Sequence, residues 1–213
     1  MALKAVISDF GGVLTTPLLN AFAALQDEIG LDAGALGRAM QRIADRQGEH
    51  PLYDLERGRI AETRFLSTLS RELATDVGHE PELHRFSEIY FDALEVNEPM
   101  IRLMQDVKSR RYRTALLTNN IREWEPHWRA MLPVDQIFEV VVDSAFVDTR
   151  KPEHRIYELT VERLGNGIVP SDCLFIDDVE LNVAAAREVG MRAVRFRSNE
   201  QTIPEIESAL DGR

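Results

Sequence analysis

The chain has little cysteine, no long apolar run and no excess of basic residues. Its single cysteine, Cys173, lies in an apolar run, which predicts a buried thiol and excludes both a disulfide framework and a thiolate zinc site. No stretch is long enough to span a bilayer, and no signal-peptide pattern precedes the first strand, so we expect a cytoplasmic protein. The net charge of −11 argues against nucleic acid or an anionic membrane as the main partner.

The 213 residues are enough for one well-packed domain, or for a core with a small insertion. Several runs are rich in Val, Ile and Leu without a polar alternation, which is typical of strands covered on both faces. The predicted strands are residues 3–8, 113–118, 138–142, 174–177 and 193–196.

Helical patterns separate the later strands, at residues 98–110, 121–131, 152–164 and 181–189. Strands that alternate with helices imply right-handed crossovers. The sequence therefore predicts an α/β fold with a doubly wound, Rossmann-like parallel sheet.

The segment from residue 16 to residue 96 interrupts this alternation and contains no convincing strand. Residues at helical spacing form two faces, namely Phe22, Leu25, Gln26 and Ile29, and then Ile60, Phe65, Leu66 and Leu69. We expect a core built from residues 1–15 and 97–213, with residues 16–96 inserted as a helical cap. Such a cap would close over the site and select the substrate.

Polar residues follow four successive strands of the predicted sheet. Each one alone is common as a turn or a helix cap. In an open parallel sheet, however, ligands bind beyond the carboxyl ends of the strands, so their joint occurrence predicts a site. These residues are Asp9 after the first strand, Thr118, Asn119 and Asn120 after the second, Arg150 and Lys151 after the third, and Asp177, Asp178 and Asn182 after the fourth.

These residue types suit phosphoryl transfer, which depends mainly on positioning and charge stabilisation. A carboxylate such as Asp9 can attack phosphorus and form an aspartyl-phosphate. A hard divalent cation offsets the repulsion between two anions, and Asp9, Asp178 and a backbone carbonyl are candidate Mg²⁺ ligands. Lys151 can offset charge on the phosphoryl oxygens, which Thr118 and Asn119 can hold.

Four segments resemble the four motifs of the haloacid dehalogenase-like (HAD) hydrolase superfamily. Among its branches the chain is most similar to the phosphatase-type domain at the N-terminus of soluble epoxide hydrolases. The segments are residues 9–14, 116–120, 150–152 with Ile156 and Tyr157, and 175–182.

The resemblance implies a role for each residue around the cation. Asp9 would be the nucleophile and a Mg²⁺ ligand, Gly11 would offer its backbone carbonyl to the metal, and Asp178 would bind it directly. Asp177 and Asn182 would support these ligands without binding the metal themselves.

The resemblance also implies the reaction. Thr118 and Asn119 would hold the phosphoryl group, and Lys151 would orient Asp9 and stabilise the phospho-aspartate. The expected activity is Mg²⁺-dependent hydrolysis of a small phosphorylated metabolite.

Gly11 departs from the family pattern, because most of its phosphatases carry an aspartate two residues after the nucleophile. That aspartate protonates the leaving oxygen and then activates water, and such help is typically worth ~10²–10⁴-fold in rate. Three interpretations stay open. The leaving group needs little protonation, as with an acyl or anomeric phosphate; another group in the cap or substrate supplies the proton; or the protein is slow or has kept only binding.

Two other functions compete with the phosphatase. A metal-independent 2-haloacid dehalogenase would share Asp9, Thr118, Asn119 and Lys151, but family dehalogenases lack the acidic pair that begins at Asp177. A weakly active or inactive binding or regulatory protein is supported by Gly11 alone. The sequence leaves the substrate and the oligomeric state open.

Overall fold

A computed structural model describes residues 2–17, 21, 23, 26–28, 30–32 and 34–212 of the chain. This part contains a parallel sheet of five strands in the order β3-β2-β1-β4-β5, which confirms the predicted α/β fold. The strands are β1 (Ala5–Ser8), β2 (Arg113–Thr118), β3 (Val140–Asp143), β4 (Cys173–Asp177) and β5 (Arg192–Arg195).

Helices flank this sheet and fill the segment between β1 and β2. They are α1 (Ala35–Gln47), α2 (Pro51–Glu56), α3 (Glu62–Val77), α4 (Phe86–Asp92), α5 (Glu98–Ser109), α6 (Glu125–Met131), α7 (Val134–Ile137), α8 (His154–Leu164), α9 (Glu180–Glu188) and α10 (Asn199–Leu210). Within the described residues, no helix combines the length and apolarity needed to cross a membrane.

The strands are covered on both faces by two apolar clusters. In β1, Ala5 and Ile7 pack in a cluster with Tyr157 of α8. Val6, which points to the opposite face, packs in the cluster that contains Met104 of α5. Burial on both faces explains why the apolar runs in the sequence do not alternate with polar residues. Cys173 is buried at the start of β4, as predicted.

Some boundaries differ from those predicted. The third strand begins at Val140, two residues later than expected, and runs on to Asp143. The predicted helix over 121–131 is a 3₁₀ turn at Arg122–Trp124 followed by α6, whose first turn contains Pro126. Proline lacks an N–H and suits a first turn, so the sequence favours a new helix start there.

In its described residues, the segment between β1 and α5 contains the four helices α1 to α4, joined by loops and turns, and no strand. One β-bridge found there joins Thr15 to Val96. The first predicted helical face lies largely outside the described residues, because Phe22, Leu25 and Ile29 are not among them.

The two ends of this helical segment lie side by side. Besides the Thr15–Val96 bridge, the Asn97 N–H donates to the Leu14 carbonyl at 2.8 Å, and the Asn97 side chain donates to the Val13 carbonyl at 2.8 Å. The chain therefore leaves and re-enters the sheet at almost the same point. We propose on this basis that residues 16–96 form a cap and residues 1–15 and 97–213 form the core.

Candidate active site

The strand register brings the polar strand ends to one edge of the sheet. Ser8 at the end of β1 pairs with Leu116 and with Ile176, so Asp9 lies between the ends of β2 and β4. A cavity of about 560 Å³ opens at this edge. Its lining contains all but one of the predicted site residues, namely Asp9, Gly11, Thr118, Asn119, Lys151, Asp178 and Asn182.

Lys151 is the buried centre of the polar cluster. Its Nζ lies 2.7 Å from Asp9 Oδ1 and 2.6 Å from Asp177 Oδ2, and its side chain is 1% exposed. Burial lowers the pKa of Lys151, but the charges of Asp177 and Asp9 more than offset this and raise it. The ammonium is therefore charged at neutral pH and lies against Asp9, the predicted nucleophile.

Asp177 is the one predicted site residue that lies behind the cavity. Its Oδ1 accepts the Val179 N–H at 2.8 Å, and the Asn182 amide donates to both carboxylate oxygens at 3.0 and 3.1 Å. With the bond from Lys151, these contacts engage both oxygens of Asp177. This geometry supports an orienting role for Asp177 and Asn182.

Asp178 approaches the loop after β1 where that loop has no side chain. The φ of Gly12 is 73°, and a Cβ added there would lie 2.4 Å from Asp178 Oδ2. Only glycine satisfies both the backbone conformation and this close approach. Sequence reasoning did not assign Gly12 a role, although the Gly11-Gly12 pair after an aspartate was the available signal.

The carboxylates form a group that fits a divalent cation. Asp9, Asp177 and Asp178 each offer an oxygen within 4.8 Å of the others. Three carboxylates face one ammonium, so their charge is not balanced by Lys151 alone. Oxygen ligands from carboxylates are those that Mg²⁺ prefers.

The electrostatics around Asp9 also favour a bound cation. Burial raises the pKa of the Asp9 carboxyl well above its usual value, and Lys151 opposes this rise. The negative charges of Asp177 and Asp178 add to it. A cation beside these oxygens would favour the ionised carboxylate that a nucleophile requires.

Asn119 has a contact that the sequence did not predict. Its side-chain oxygen accepts the Lys151 N–H at 2.8 Å, and its amide donates to the Lys151 carbonyl at 3.0 Å. Asn119 thus fixes the backbone of Lys151 while lining the cavity. Thr118, 2% exposed at the end of β2, lies beside it in the lining.

A cluster of aromatic side chains forms part of the cavity wall. Phe86, Tyr90 and Phe91 come from α4, and their ring centroids lie 6.0, 4.6 and 5.3 Å from that of Trp124. All four rings line the cavity. Trp124 therefore packs against these rings and also bounds the site.

Residues in the stretch from Glu56 to Glu62 contact the part of the protein that follows the helical segment. Arg57 pairs with Glu153 at 2.6 Å, and Trp124 Nε1 donates to Glu62 Oε1 at 2.6 Å. Gly58, with φ of 69°, approaches so closely that a Cβ would lie 2.2 Å from the Ala145 carbonyl oxygen.

Glu56 itself pairs with Arg150, the residue before Lys151. Arg150 Nε donates to Glu56 Oε2 at 2.5 Å, and both residues line the cavity. Sequence reasoning assigned no function to Glu56. A contact across 94 residues leaves no signal in a local pattern.

Comparison with known proteins identifies one family and several relatives. The family described as haloacid dehalogenase-like hydrolase matches residues 3–190. Acyl-CoA dehydrogenase family member 10 of Mus musculus is 27% identical over 211 residues, covering 97% of this chain and 19% of that protein. Bifunctional epoxide hydrolase 2 of Sus scrofa is 26% identical over 219 residues, covering 97% of this chain and 39% of that protein. The chain thus spans less than half the length of these two relatives.

A relative of similar length is the phosphorylated carbohydrates phosphatase of Thermotoga maritima, which is 28% identical over 196 residues, covering 90% of this chain and 84% of that protein. Among solved structures, a HAD family enzyme of Bacteroides thetaiotaomicron in complex with magnesium and inorganic phosphate superposes with a TM-score of 0.66 at 21% identity, covering 92% of this chain and 95% of that one. The L-2-haloacid dehalogenase of Xanthobacter autotrophicus has a TM-score of 0.65 at 20% identity, covering 97% and 83%. These two structures share the fold.

Proposed function

This chain belongs to the haloacid dehalogenase-like hydrolase family, and from that membership we propose that it is a Mg²⁺-dependent phosphatase of a small phosphorylated metabolite. The observation that carries the proposal is the buried Lys151 ammonium between Asp9 and Asp177, with the carboxylate of Asp178 beside them. Phosphoryl transfer to a carboxylate needs a nucleophile, a positive charge held beside it, which Lys151 supplies, and further carboxylates that can bind a metal ion.

In this reaction an oxygen of Asp9 bonds to phosphorus and the bond from phosphorus to the leaving oxygen breaks, so the phosphoryl group passes to the carboxylate. Water then attacks phosphorus, the Asp9–phosphorus bond breaks and inorganic phosphate is released. Lys151 holds Asp9 in place at 2.7 Å and lies beside the phosphoryl oxygens as their charge develops. The Thr118 hydroxyl, in the cavity lining, donates to one of those oxygens. Asp9, Asp178 and the Gly11 carbonyl would hold a Mg²⁺ ion, which when bound would help to neutralise the two approaching anions.

The acidic pair of Asp177 and Asp178 favours a phosphatase over a dehalogenase. A metal-independent attack on a haloacid has no need for Asp178 beside the nucleophile, where it adds to the negative charge around Asp9. The phosphatase names of relatives from Thermotoga maritima and Mycobacterium tuberculosis support the same choice. The Lys151–Asp9 contact supports a working enzyme over a protein that only binds.

The test is release of inorganic phosphate from acyl, anomeric and alkyl phosphates, with Mg²⁺ or with EDTA. We expect activity that requires Mg²⁺ and is lost in Asp9→Asn. Asp92→Asn, an exposed position at the end of α4 outside the cavity lining, is the matched control and should retain activity. Dehalogenation of a 2-haloacid in EDTA, or no phosphate release from any substrate, would overturn the proposal.

A further inference from the structure

The site lacks a proton donor at the position where the family places one. Gly11 lines the cavity but has no side chain, so a proton for the leaving oxygen has to come from elsewhere. Asp9, Lys151 and Asp178 belong to the nucleophile and cation cluster. Among the described residues of the lining, the remaining acidic side chains are the carboxyl of Glu56 and the phenols of Tyr53 and Tyr90.

Glu56 is the carboxyl among these three, and it lies near the nucleophile. Arg150, whose Nε holds Glu56 Oε2 at 2.5 Å, directly precedes Lys151, whose Nζ is 2.7 Å from Asp9. Glu56, Asp9 and Tyr90 all line the same cavity, and the charges of both carboxyls act on the Tyr90 phenol.

The contacts of Glu56 leave one oxygen for chemistry. Arg150 engages Oε2, and its guanidinium stacks 4.0 Å from the centre of the Tyr53 ring, which fixes the pair. Within the described part of the chain, Oε1 accepts no hydrogen bond. The side chain is 19% exposed and lines the cavity, so its free oxygen is accessible to a bound ligand.

Burial affects Glu56 and Tyr90 in ways that matter differently for proton transfer. Burial raises the pKa of the Glu56 carboxyl, although the charges of Arg150, Lys151 and Arg57 oppose the rise. A carboxyl with a raised pKa is a better match to neutral pH as an acid and base. Burial also raises the pKa of the Tyr90 phenol, which takes it further from neutral pH.

We propose that Glu56, delivered by the cap, performs the proton transfers for which position 11 has no side chain. This inference rests on the proposed phosphatase function. In the first step, an Asp9 oxygen bonds to phosphorus, the bond from phosphorus to the leaving oxygen breaks, and the Glu56 proton passes to that oxygen. In the second step, a water oxygen bonds to phosphorus, the Asp9–phosphorus bond breaks, and the water proton returns to Glu56 as inorganic phosphate forms.

Arg150 is then a positioning residue, because it acts through Glu56. It belongs to the core, whereas Glu56 belongs to α2 of the proposed cap, so the acid is in place only when the two parts are docked. Proton transfer is thereby tied to closure of the site.

The test compares substrates whose leaving groups differ in their need for a proton. In Glu56→Gln we expect kcat/KM for an alkyl phosphate such as phenethyl phosphate to fall by ~10²–10⁴-fold. For para-nitrophenyl phosphate, whose leaving group departs without a proton, kcat/KM should change by less than ~10-fold, because kcat/KM reports the first step. The matched control is Glu62→Gln, at a glutamate that bonds Trp124 but is outside the cavity lining, and it should show no such selectivity.

A second variant separates proton transfer from docking of the cap. The backbone of Gly11, unlike that of Gly12, is not left-handed, so its conformation is allowed for a residue with a side chain. Adding Gly11→Asp to Glu56→Gln should restore alkyl phosphate hydrolysis. An equal loss on both substrates in Glu56→Gln, no loss on either, or the same selectivity in Glu62→Gln would overturn the role of Glu56 while leaving the phosphatase standing. A wild-type protein inactive on both substrates would instead refute the proposed function, and the role of Glu56 with it.

Discussion

Asp143, a buried carboxyl at the end of β3, should make the stability of the core depend on pH. Its Oδ1 accepts the Ala145 N–H at 3.0 Å, but its Oδ2 is buried with no hydrogen-bond partner among the described residues. Burial raises the pKa of Asp143 from its ordinary 3.8 to about 7, with a smaller rise from Glu125. Only part of this is offset by the Ala145 N–H and by nearby arginines.

The sign of the stability effect follows from the raised pKa. Between pH 4 and pH 7 the folded protein holds a proton on Asp143 that the unfolded chain has released, so stability falls as pH rises through this window. Below pH 4 both states are protonated and the cost is absent. Above pH 7 the full cost applies, and the displacement from 3.8 to about 7 corresponds to ~4 kcal/mol as an upper estimate.

Asp143→Asn should remove this cost. The asparagine keeps an oxygen for the Ala145 N–H and carries no charge at any pH. We expect the free energy of unfolding of the variant to exceed that of the wild type by ~2–4 kcal/mol at pH 8, and the difference to shrink towards zero by pH 4.

Urea unfolding of both proteins at pH 4, 5, 6, 7 and 8 measures this difference directly, and subtraction removes the titration of all other groups. A difference that is constant with pH would refute the charge-based reasoning. A variant less stable than the wild type at pH 8 would also refute it.

Three further predictions concern the site itself. Lys151→Met should abolish turnover and lower the free energy of unfolding by ~3–5 kcal/mol, because it leaves Asp9 and Asp177 buried without their cation; near-normal turnover would contradict its role. Gly12→Ala should cost more than ~1 kcal/mol of stability and weaken Mg²⁺ activation, since its Cβ would meet Asp178 Oδ2 at 2.4 Å; unfolding curves and Mg²⁺ titrations that match wild type would exclude this. Asp178→Ala should lose activity together with Mg²⁺ dependence, and unchanged kinetics in a Mg²⁺ titration would remove it from the metal site.

Local sequence patterns were sufficient to predict the sheet and the four polar strand ends. Buried strands such as β1 and β4 appear as continuous apolar runs, and the end of such a run is visible as the first charged residue after it, Asp9 or Asp177. In a parallel sheet these ends meet at one edge by topology alone, so their proximity needs no knowledge of side-chain packing.

What could not be predicted depends on contacts between distant parts of the chain. The Glu56–Arg150 pair spans 94 residues, and the reciprocal bonds between Asn119 and Lys151 span 32. Asp143 ends a strand much as Asp9 does, yet only the packing around it leaves one oxygen without a partner. None of these three arrangements can be read from residue spacing or composition.

The adjacent ends of the helical segment have a consequence for exchanging parts between relatives. Because Thr15 and Val96 face each other across a bridge, the core presents two attachment points about 5 Å apart, a typical Cα separation for such a pair. Any helical insertion with neighbouring ends can be joined there without stretching the sheet. On the proposed division into cap and core, we expect that replacing this one continuous stretch of the chain would change substrate choice while Asp9, Lys151 and Asp178 stay where they are.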